Sequence, residues 1–288
     1  MIMPLKFIKF HGFGNDYIVI DPAQFPEATG LGEFARSICN RHYGAGADGI
    51  AVVSLSQDQS ADFQVRIFNP DGSEASLSGN GTRCAAAYLY YEGLWQAKEL
   101  RLSTRAGVKR YVLRADEGNG RYLFDSELGQ PKFDPASIPM VINRPVDQVV
   151  DYDLEVAGEN FKVTALQMGN PNCCLFVDDF AALDWRRLGR EIENHKQFPE
   201  RTNVVFVRVK NRQTIELRIW ERGVGETTAS GTCSCAAAVA TMVKGKADRA
   251  IEVEMPGGRT KIHWRNDGEV VITGTAEVIY AGQWLRQG

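Results

Sequence analysis

Short segments in which apolar residues alternate with polar ones, or follow one another without interruption, recur along most of the chain. Alternation with a period of two is typical of strands with one buried face, and short continuous apolar runs are typical of fully buried strands. The pattern predicts strands at about 5–10, 16–21, 50–55, 62–68, 100–104, 108–113, 121–125, 161–167, 173–177, 204–209, 214–220, 251–254, 260–264 and 269–280. We therefore expect a mixed α/β protein with more strand than helix.

Four segments have the longer apolar period of a helix, at about 32–41, 82–92, 184–194 and 231–244. Gly93 and Gly245 follow the second and the fourth of them, and glycine suits the backbone conformation just past a helix end. These two helices are poor in charge, and a helix that is apolar on every side is buried. We expect a strongly bent sheet to wrap around each of them; two ordinary helices on open sheets are the alternative.

The two buried helices begin in segments that match each other. Ser78–Thr82 (SGNGT) and Ser230–Ser234 (SGTCS) lie 152 residues apart, and Arg66–Asn69 falls on Arg218–Glu221 at the same offset. This correspondence suggests that the chain contains two copies of one half of a site. Two similar halves would suit chemistry on opposite faces of one atom.

The repeat extends upstream of these helices. Gly14–Asp16 before one apolar run resembles Gly169–Pro171 before another at an offset of 155, and Asp48–Val53 resembles Thr202–Val207 at an offset of 154. The three landmarks keep their order and nearly their spacing. A period this long indicates duplicated domains, because solenoid repeats run at about 20 to 50 residues.

Composition agrees with two domains of a soluble protein: 288 residues, 44% apolar, 24% charged and a net charge of -3. No polybasic tract suggests nucleic acid as a partner, and no apolar run approaches the roughly 20 residues of a membrane helix. Met1–Lys6 leads into a strand without a signal-peptide core, so a cytoplasmic location is expected. Composition does not indicate an oligomeric state, and a homodimer is left open.

The six cysteines are even in number, but a chain of this size has enough core residues to fold without a disulfide framework. We expect reduced thiols that are mostly small buried residues. Cys233 and Cys235 have no second pair at zinc spacing, and the chain has only four histidines, so no metal is expected.

Ser78 and Ser230 each precede one of the buried helices. The first N–H groups of a helix have no intrahelical acceptor, and the helix dipole is positive at that end, so each start could hold a carboxylate. The alternative is that both serines are simple N-caps, which are common at helix starts. Because the two serines occur at equivalent positions of the repeat, the pattern favours a carboxylate-binding site.

Several motifs, in this order along the chain, resemble those of the diaminopimelate epimerases, and the resemblance covers essentially the whole sequence. They are His11–Tyr17 (HGFGNDY), Phe68–Glu74 (FNPDGSE), Gly169–Pro171 (GNP), Phe198–Asn203 (FPERTN), Glu221–Thr227 (ERGVGET) and Pro256–Arg259 (PGGR). The resemblance implies two pseudo-symmetric domains, each a strongly bent, mainly antiparallel sheet around a central helix. The first would comprise about residues 1–126 with 276–288, the second 127–275, and the active site would lie in the cleft between them.

Members of this family interconvert LL- and meso-diaminopimelate without a cofactor, and two cysteines on opposite sides of the α-carbon remove and return the proton. By resemblance these cysteines fall on Ser78 and Ser230. The pKa of a hydroxyl group lies about seven units above that of a thiol, which is on the order of 10 kcal/mol, and a helix dipole offsets only about 0.3 to 2 kcal/mol. We therefore predict little or no epimerase activity.

Position 172 is a further departure, since Asn172 stands where the family has a histidine near one thiol. An amide cannot take up a proton, so Asn172 could not help the neighbouring thiol to ionise as a histidine would. Glu221 is retained near the reacting end. Cys233 is the one neighbouring cysteine that could replace a lost thiol, but a shift of three residues costs the geometry of proton transfer.

The resemblance also implies a substrate-binding set that would hold the amino and carboxylate groups of a small amino acid. Its members are Asn15, Asn69, Gly79, Asn80, Asn170, Asn203, Arg222, Gly231 and Thr232. Amides donate and accept hydrogen bonds, and an arginine can bind a carboxylate through two of them. The alternative for any one of the asparagines is a turn residue that holds its own backbone.

Three accounts of the serines remain open: deliberate replacement of both cysteines, a natural relative that kept amino-acid binding but lost epimerisation, and an enzyme for a different cofactor-free isomerisation. A binding or regulatory protein on the same scaffold is the hypothesis from another class. Binding without turnover would distinguish it.

Overall fold

The structure is a computed structural model that describes residues 4–21, 23 and 30–285. Met1–Met3, at the start of the opening segment discussed above, lie outside the described residues. So do residues 286–288, the last part of the predicted N-terminal domain.

Four helices and seventeen strands are found in the described part of the chain. The helices are α1 (Leu31–Cys39), α2 (Gly79–Tyr91), α3 (Trp185–Glu193) and α4 (Gly231–Val243). The strands are β1 (Leu5–Gly12), β2 (Asn15–Ile20), β3 (Gly49–Leu55), β4 (Phe63–Phe68), β5 (Glu74–Ala75), β6 (Glu99–Thr104), β7 (Gly107–Asp116), β8 (Arg121–Gly129), β9 (Tyr152–Val156), β10 (Glu159–Gln167), β11 (Pro171–Phe176), β12 (Asn203–Asn211), β13 (Thr214–Glu221), β14 (Gly225–Thr227), β15 (Ala250–Met255), β16 (Gly258–Trp264) and β17 (Val270–Trp284).

All four predicted helices are confirmed, and so are the glycine ends of α2 and α4, since Gly93 and Gly245 each have φ of 68°. The pattern missed three strands. Two of them, β5 and β14, span two and three residues and are too short to show a period. The third, β9, alternates buried and exposed residues as a strand should, so its signal was present in the sequence.

The chain divides into two units, here called the N-terminal unit (Met1–Glu127 with Thr273–Gly288) and the C-terminal unit (Leu128–Ile272). In the N-terminal unit, β1, β2, β3, β4, β6, β7 and β8 pair in that order, and β17 pairs with both β8 and β1. The sheet therefore closes into a barrel. Its parallel contacts are β2 with β3 and β4 with β6, and the other pairs of described register are antiparallel.

The C-terminal unit repeats this order of pairing. Its strands run β9, β10, β11, β12, β13, β15 and β16, followed by the start of β17. The parallel contacts are β11 with β12 and β13 with β15, which correspond to β2 with β3 and β4 with β6 of the N-terminal unit. The predicted fold class is confirmed, because each unit is a bent, mainly antiparallel sheet around one central helix.

Each central helix is buried because strands cover it on several sides. In α2 the residues from Asn80 to Leu89 are buried, and the helix contacts β1, β2, β3, β4 and β6. In α4 the residues from Cys233 to Thr241 are buried, and the helix contacts β10 to β13, β15 and β16. Their runs of alanine allow close approach of the strands. Among the described residues, no helix is long and apolar enough to cross a membrane.

One aromatic ring determines the packing at the start of α2. A Cβ on Gly81 or on Gly49 would lie 2.7 Å from Cε1 of Tyr17, so both positions need glycine. In the C-terminal unit, Asn172 pairs with Asn203 as Tyr17 pairs with Gly49. Cys233 is the third residue of α4, as Gly81 is the third residue of α2. A large residue with two glycines is thus exchanged for three side chains of moderate size, and the core stays filled.

We expect Gly81→Ala to lower the free energy of unfolding by about 1 to 3 kcal/mol, because the new methyl overlaps the Tyr17 ring. This steric cost outweighs the roughly 1 kcal/mol that alanine gains over glycine in a helix. Gly231→Ala is the matched control, since a Cβ there has Cδ1 of Ile272 at 3.6 Å as its nearest neighbour. Urea unfolding of both variants checks the difference, and equal midpoints would contradict it.

Candidate active site

In the N-terminal unit, Ser78 is the N-cap of α2 and its hydroxyl is held by two neighbours. The Ser78 Oγ accepts a hydrogen bond from the Gly81 N–H at 3.1 Å, and it lies 2.8 Å from the Tyr17 hydroxyl. The Ser78 hydroxyl is therefore fixed in the position of a conventional cap. Sequence reasoning singled out Ser78 but missed Tyr17, although the repeat aligns Tyr17 with Asn172.

Asn15 and Asn80, two members of the predicted binding set, lie together. The Asn80 side chain donates to Oδ1 of Asn15 at 3.3 Å, and Asn15 donates to Asp48 at 2.6 Å. The buried guanidinium of Arg83 in turn donates to Oδ1 of Asn80 and to the Thr275 carbonyl, the latter at 2.9 Å. Both asparagine side chains are thus oriented by charged neighbours.

The carboxylate that orients Asn15 belongs to a cluster of charges. Arg41 bridges Asp48 and Asp16 at 2.7 and 2.8 Å, and Lys9 pairs with Asp16 at 2.7 Å. Burial raises the pKa of Asp16, but hydrogen bonds and charge from Arg41 and Lys9 outweigh it and lower that pKa to about 2. The cluster therefore stays ionised at neutral pH and fixes the start of β2.

Asn69, at the end of β4, is bonded within its own hairpin. Its amide donates to the Ser73 Oγ at 2.9 Å, and its backbone N–H donates to the Ser73 carbonyl at 2.9 Å. These contacts agree with the alternative role of a turn residue. They do not join Asn69 to the pair formed by Asn15 and Asn80.

In the C-terminal unit, Glu221 ends β13 beside the start of α4. Its Oε1 accepts a hydrogen bond from the Thr227 hydroxyl at 2.8 Å. Burial raises the pKa of Glu221, and hydrogen bonds from Thr227 and Ser230 oppose that shift only in part. Ser230 is 8% exposed and, unlike Ser78, makes no capping bond to the helix N–H groups within the described part of the chain.

The remaining amides of the C-terminal unit form a continuous network. Asn172 donates to the carbonyl and to Oδ1 of Asn170 at 2.7 and 3.1 Å and accepts from Asn203 at 3.2 Å. Asn203 in turn accepts from the backbone N–H of Arg222 at 2.9 Å. The side chain of Arg222 is exposed and donates to the Glu200 carbonyl at 3.1 Å. Asn172 thus orients the loops that carry Asn170 and Arg222.

The first turns of α2 and α4 supply the remaining predicted binding groups. Their first helical residues are Gly79 and Asn80 in α2 and Gly231 and Thr232 in α4. N–H groups at these positions have no intrahelical acceptor and can bind an anion. Cys233, next in α4, is fully buried, and burial together with the nearby charge of Glu221 raises its pKa well above the ordinary range. It is therefore a poor substitute for a reactive thiolate.

A sequence model of the family described as diaminopimelate epimerase matches residues 7–133 and 164–279. The chain belongs to the diaminopimelate epimerase family. The protein of that name from Pelotomaculum thermopropionicum is 42% identical over 287 residues, which cover 97% of this chain and 99% of that protein. The one from Synechocystis sp. is 41% identical over 283 residues, with 98% and 99% covered. Members of this family are epimerases that need no cofactor.

Solved structures of other enzymes share the fold. A hydroxyproline epimerase from Agrobacterium vitis has a TM-score of 0.67 at 14% identity and covers 98% of this chain and 92% of its own. A phenazine biosynthesis protein of the PhzF family from Bacillus anthracis has a TM-score of 0.65 at 17% identity, with 99% and 100% covered. At these identities the likeness concerns the fold alone. The predicted family and fold are confirmed.

We expect Asn203→Ala to lower the free energy of unfolding by about 2 kcal/mol, because the Arg222 N–H and Oδ1 of the buried Asn172 lose their partner. Asn69→Ala is the control: its amide bonds an exposed hydroxyl, so the cost should stay below about 1 kcal/mol. Chemical unfolding of both variants tests this difference. A smaller loss of unfolding free energy in Asn203→Ala than in Asn69→Ala would contradict a stabilising role of this network.

The raised pKa of Glu221 predicts a pH-dependent effect of Glu221→Gln. A carboxyl group whose pKa is higher in the folded state stabilises the fold below its unfolded pKa of about 4.3, and that contribution is lost as the pH rises through the folded pKa. Glutamine imitates the protonated form at every pH. The variant should therefore be more stable relative to the native chain at about pH 8 than at about pH 4. Unfolding at both pH values checks the sign, and the opposite trend would show a lowered pKa.

Proposed function

We propose that this chain binds diaminopimelate as a member of the lysine and peptidoglycan precursor pathway, and that it has little or no two-base epimerase activity as written. The proposal rests on the resemblance that puts Ser78 and Ser230 at the positions of the family's catalytic cysteines. An alcohol group lies about seven pKa units above a thiol, and the helix dipole offsets only about 0.3 to 2 kcal/mol of that difference.

The contacts around Ser78 support the loss of proton transfer on that side. Its Oγ accepts the Gly81 N–H and is bonded to the Tyr17 hydroxyl, which are the contacts of a structural cap. A hydroxyl that is to remove a proton from carbon needs a basic partner, and a phenol hydroxyl such as that of Tyr17 is not a basic group. Ser78 is therefore a binding and capping residue in this proposal.

The binding set supports retention of the ligand. Asn15, Asn80 and Asn203 have buried or partly buried amides whose orientation is fixed by further hydrogen bonds. Pre-oriented amides bind a zwitterionic amino acid at a lower entropic cost than mobile ones. The N–H groups at the starts of α2 and α4 suit its carboxylates.

A diverged natural relative that binds an amino acid or catalyses a different cofactor-free isomerisation is the second candidate, and Asn172 favours it. The asparagine at this position is held by hydrogen bonds to Asn170 and Asn203, so its side chain is accommodated in the fold. Such accommodation suits a natural relative more than a chain in which two cysteines were replaced deliberately. A cytoplasmic location and a homodimer remain predictions.

We expect the native chain to bind LL- or meso-diaminopimelate in calorimetric titrations and to leave each isomer unconverted in chiral chromatography. The Ser78→Cys, Ser230→Cys variant should raise interconversion by roughly 10²-fold or more, because thiols can carry the proton. Ser230→Cys alone is the control that should stay inactive, because Ser78 still cannot carry a proton. Conversion by the native chain well above the buffer rate would contradict the proposal.

The same comparison separates the two candidates. Restored conversion in the double variant would establish an intact epimerase scaffold that lacks only its two proton-transfer groups. Binding without any conversion in the double variant, and also after Asn172→His is added, would favour the different isomerisation or a binding protein. No binding of either isomer would overturn the proposed ligand.

A further inference from the structure

The two units differ in chemistry at one pair of equivalent positions. Asn69 directly follows β4 and Glu221 is the last residue of β13, at the same offset of 152 residues that relates Ser78 to Ser230. The strands that follow keep the same register, since Phe68 pairs with Glu74 as Trp220 pairs with Glu226. The backbone therefore repeats, while the side chain at its end is an amide in one unit and a carboxyl group in the other.

Only the carboxyl group can exchange a proton with a substrate near neutral pH. Within the described residues, the N-terminal unit places at its helix start the hydroxyls of Ser78 and Tyr17, and the amide of Asn69 stands at the equivalent of Glu221. Hydroxyls and amides do not act as bases without a basic partner. The C-terminal unit places Glu221 next to Ser230, with one carboxylate oxygen bonded to Thr227.

We propose that Glu221 is the acid-base group of this chain and that it works from the C-terminal unit alone, so that the protein exchanges the α-proton of one diaminopimelate isomer without inverting it. The inference rests on the proposed ligand. It gives Glu221 the proton-transfer role that the family assigns to a cysteine.

The chemistry balances with the substrate and solvent alone. The Glu221 carboxylate takes the α-proton, and the electron pair of the broken C–H bond is delocalised into the substrate carboxylate, where helix N–H groups stabilise the charge. The resulting carboxylic acid exchanges its proton with solvent and returns one to the carbon on the same side. Because no group returns a proton from the other side, the configuration is retained.

Burial supports this role for Glu221. Partial removal from water raises the pKa of its carboxyl group, which makes the carboxylate a stronger base than an exposed one. The Thr227 hydroxyl holds one oxygen at 2.8 Å and limits the rotation of the group. Cys233 is the rival base in the same unit, but its fully buried thiol has a pKa raised well above the ordinary range.

The test is deuterium incorporation at the α-carbon of LL- and of meso-diaminopimelate in D₂O, followed by NMR, with chiral chromatography of the same samples. We expect the native chain to label one isomer with retention and to leave the other unlabelled. Glu221→Gln should lower the labelling by roughly 10²-fold or more. Glu226→Gln is the matched control, since it makes the same change in the same hairpin at an exposed carboxylate paired with Arg186. Cys233→Ser tests the rival base.

Calorimetric binding by each variant shows that it is folded and competent for the ligand. Labelling that survives in Cys233→Ser and Glu226→Gln but is lost in Glu221→Gln would support the inference. Labelling of both isomers, loss of labelling in Cys233→Ser, or binding by the native chain without any labelling would overturn it. No binding by the native chain would instead overturn the proposed function, and the inference with it.

Discussion

The burial of a charge-poor helix in each unit is the constraint on which the rest of the fold depends. A helix that is apolar on every side needs apolar partners all around, and α2 and α4 obtain them because the strands of each unit bend around them. Such a helix can present polar backbone groups only at its ends. The sequence therefore places Ser78 and Ser230 where the N–H groups emerge, and the loops that reach those ends carry the polar side chains of the candidate site.

The duplicated backbone tolerates divergence because packing constrains volume more than it constrains identity. Tyr17 fits against the start of α2 only because Gly49 and Gly81 lack side chains, whereas Asn203 and Cys233 occupy the equivalent places around Asn172. An exchange at one of these three positions alone is expected to create an overlap or a cavity. The same coupling brings Tyr17 to Ser78 in one unit and a network of asparagines to Arg222 in the other.

Fold class, helices and most strands could be predicted from the sequence because period and repeat both report burial, which also determines the structure. The roles of Tyr17 and Thr227 could not, because each acts through one hydrogen bond to a residue distant in the chain or across a hairpin. The bond from the Arg222 backbone N–H to Asn203 could not be predicted either, and the role of the Arg222 side chain in binding substrate stays a prediction. Patterns along the chain indicate which residues are buried, but only the fold shows which partner each polar group has.

The asymmetry of the two units follows from where divergence is least costly. A buried position such as Asn203 cannot change without its partners, whereas residues 69 and 221 lie at partly exposed places at the ends of equivalent strands. Asn69 bonds Ser73 of its own turn, and Glu221 bonds Thr227 of its hairpin and Ser230. A side chain that is not fully buried is less constrained in size and chemistry than one in the core. Chemistry at the strand ends can therefore diverge while the barrel and its central helix stay unchanged. A duplicated scaffold of this kind can keep two equivalent backbones while the side chains at the ends of equivalent strands differ in chemistry.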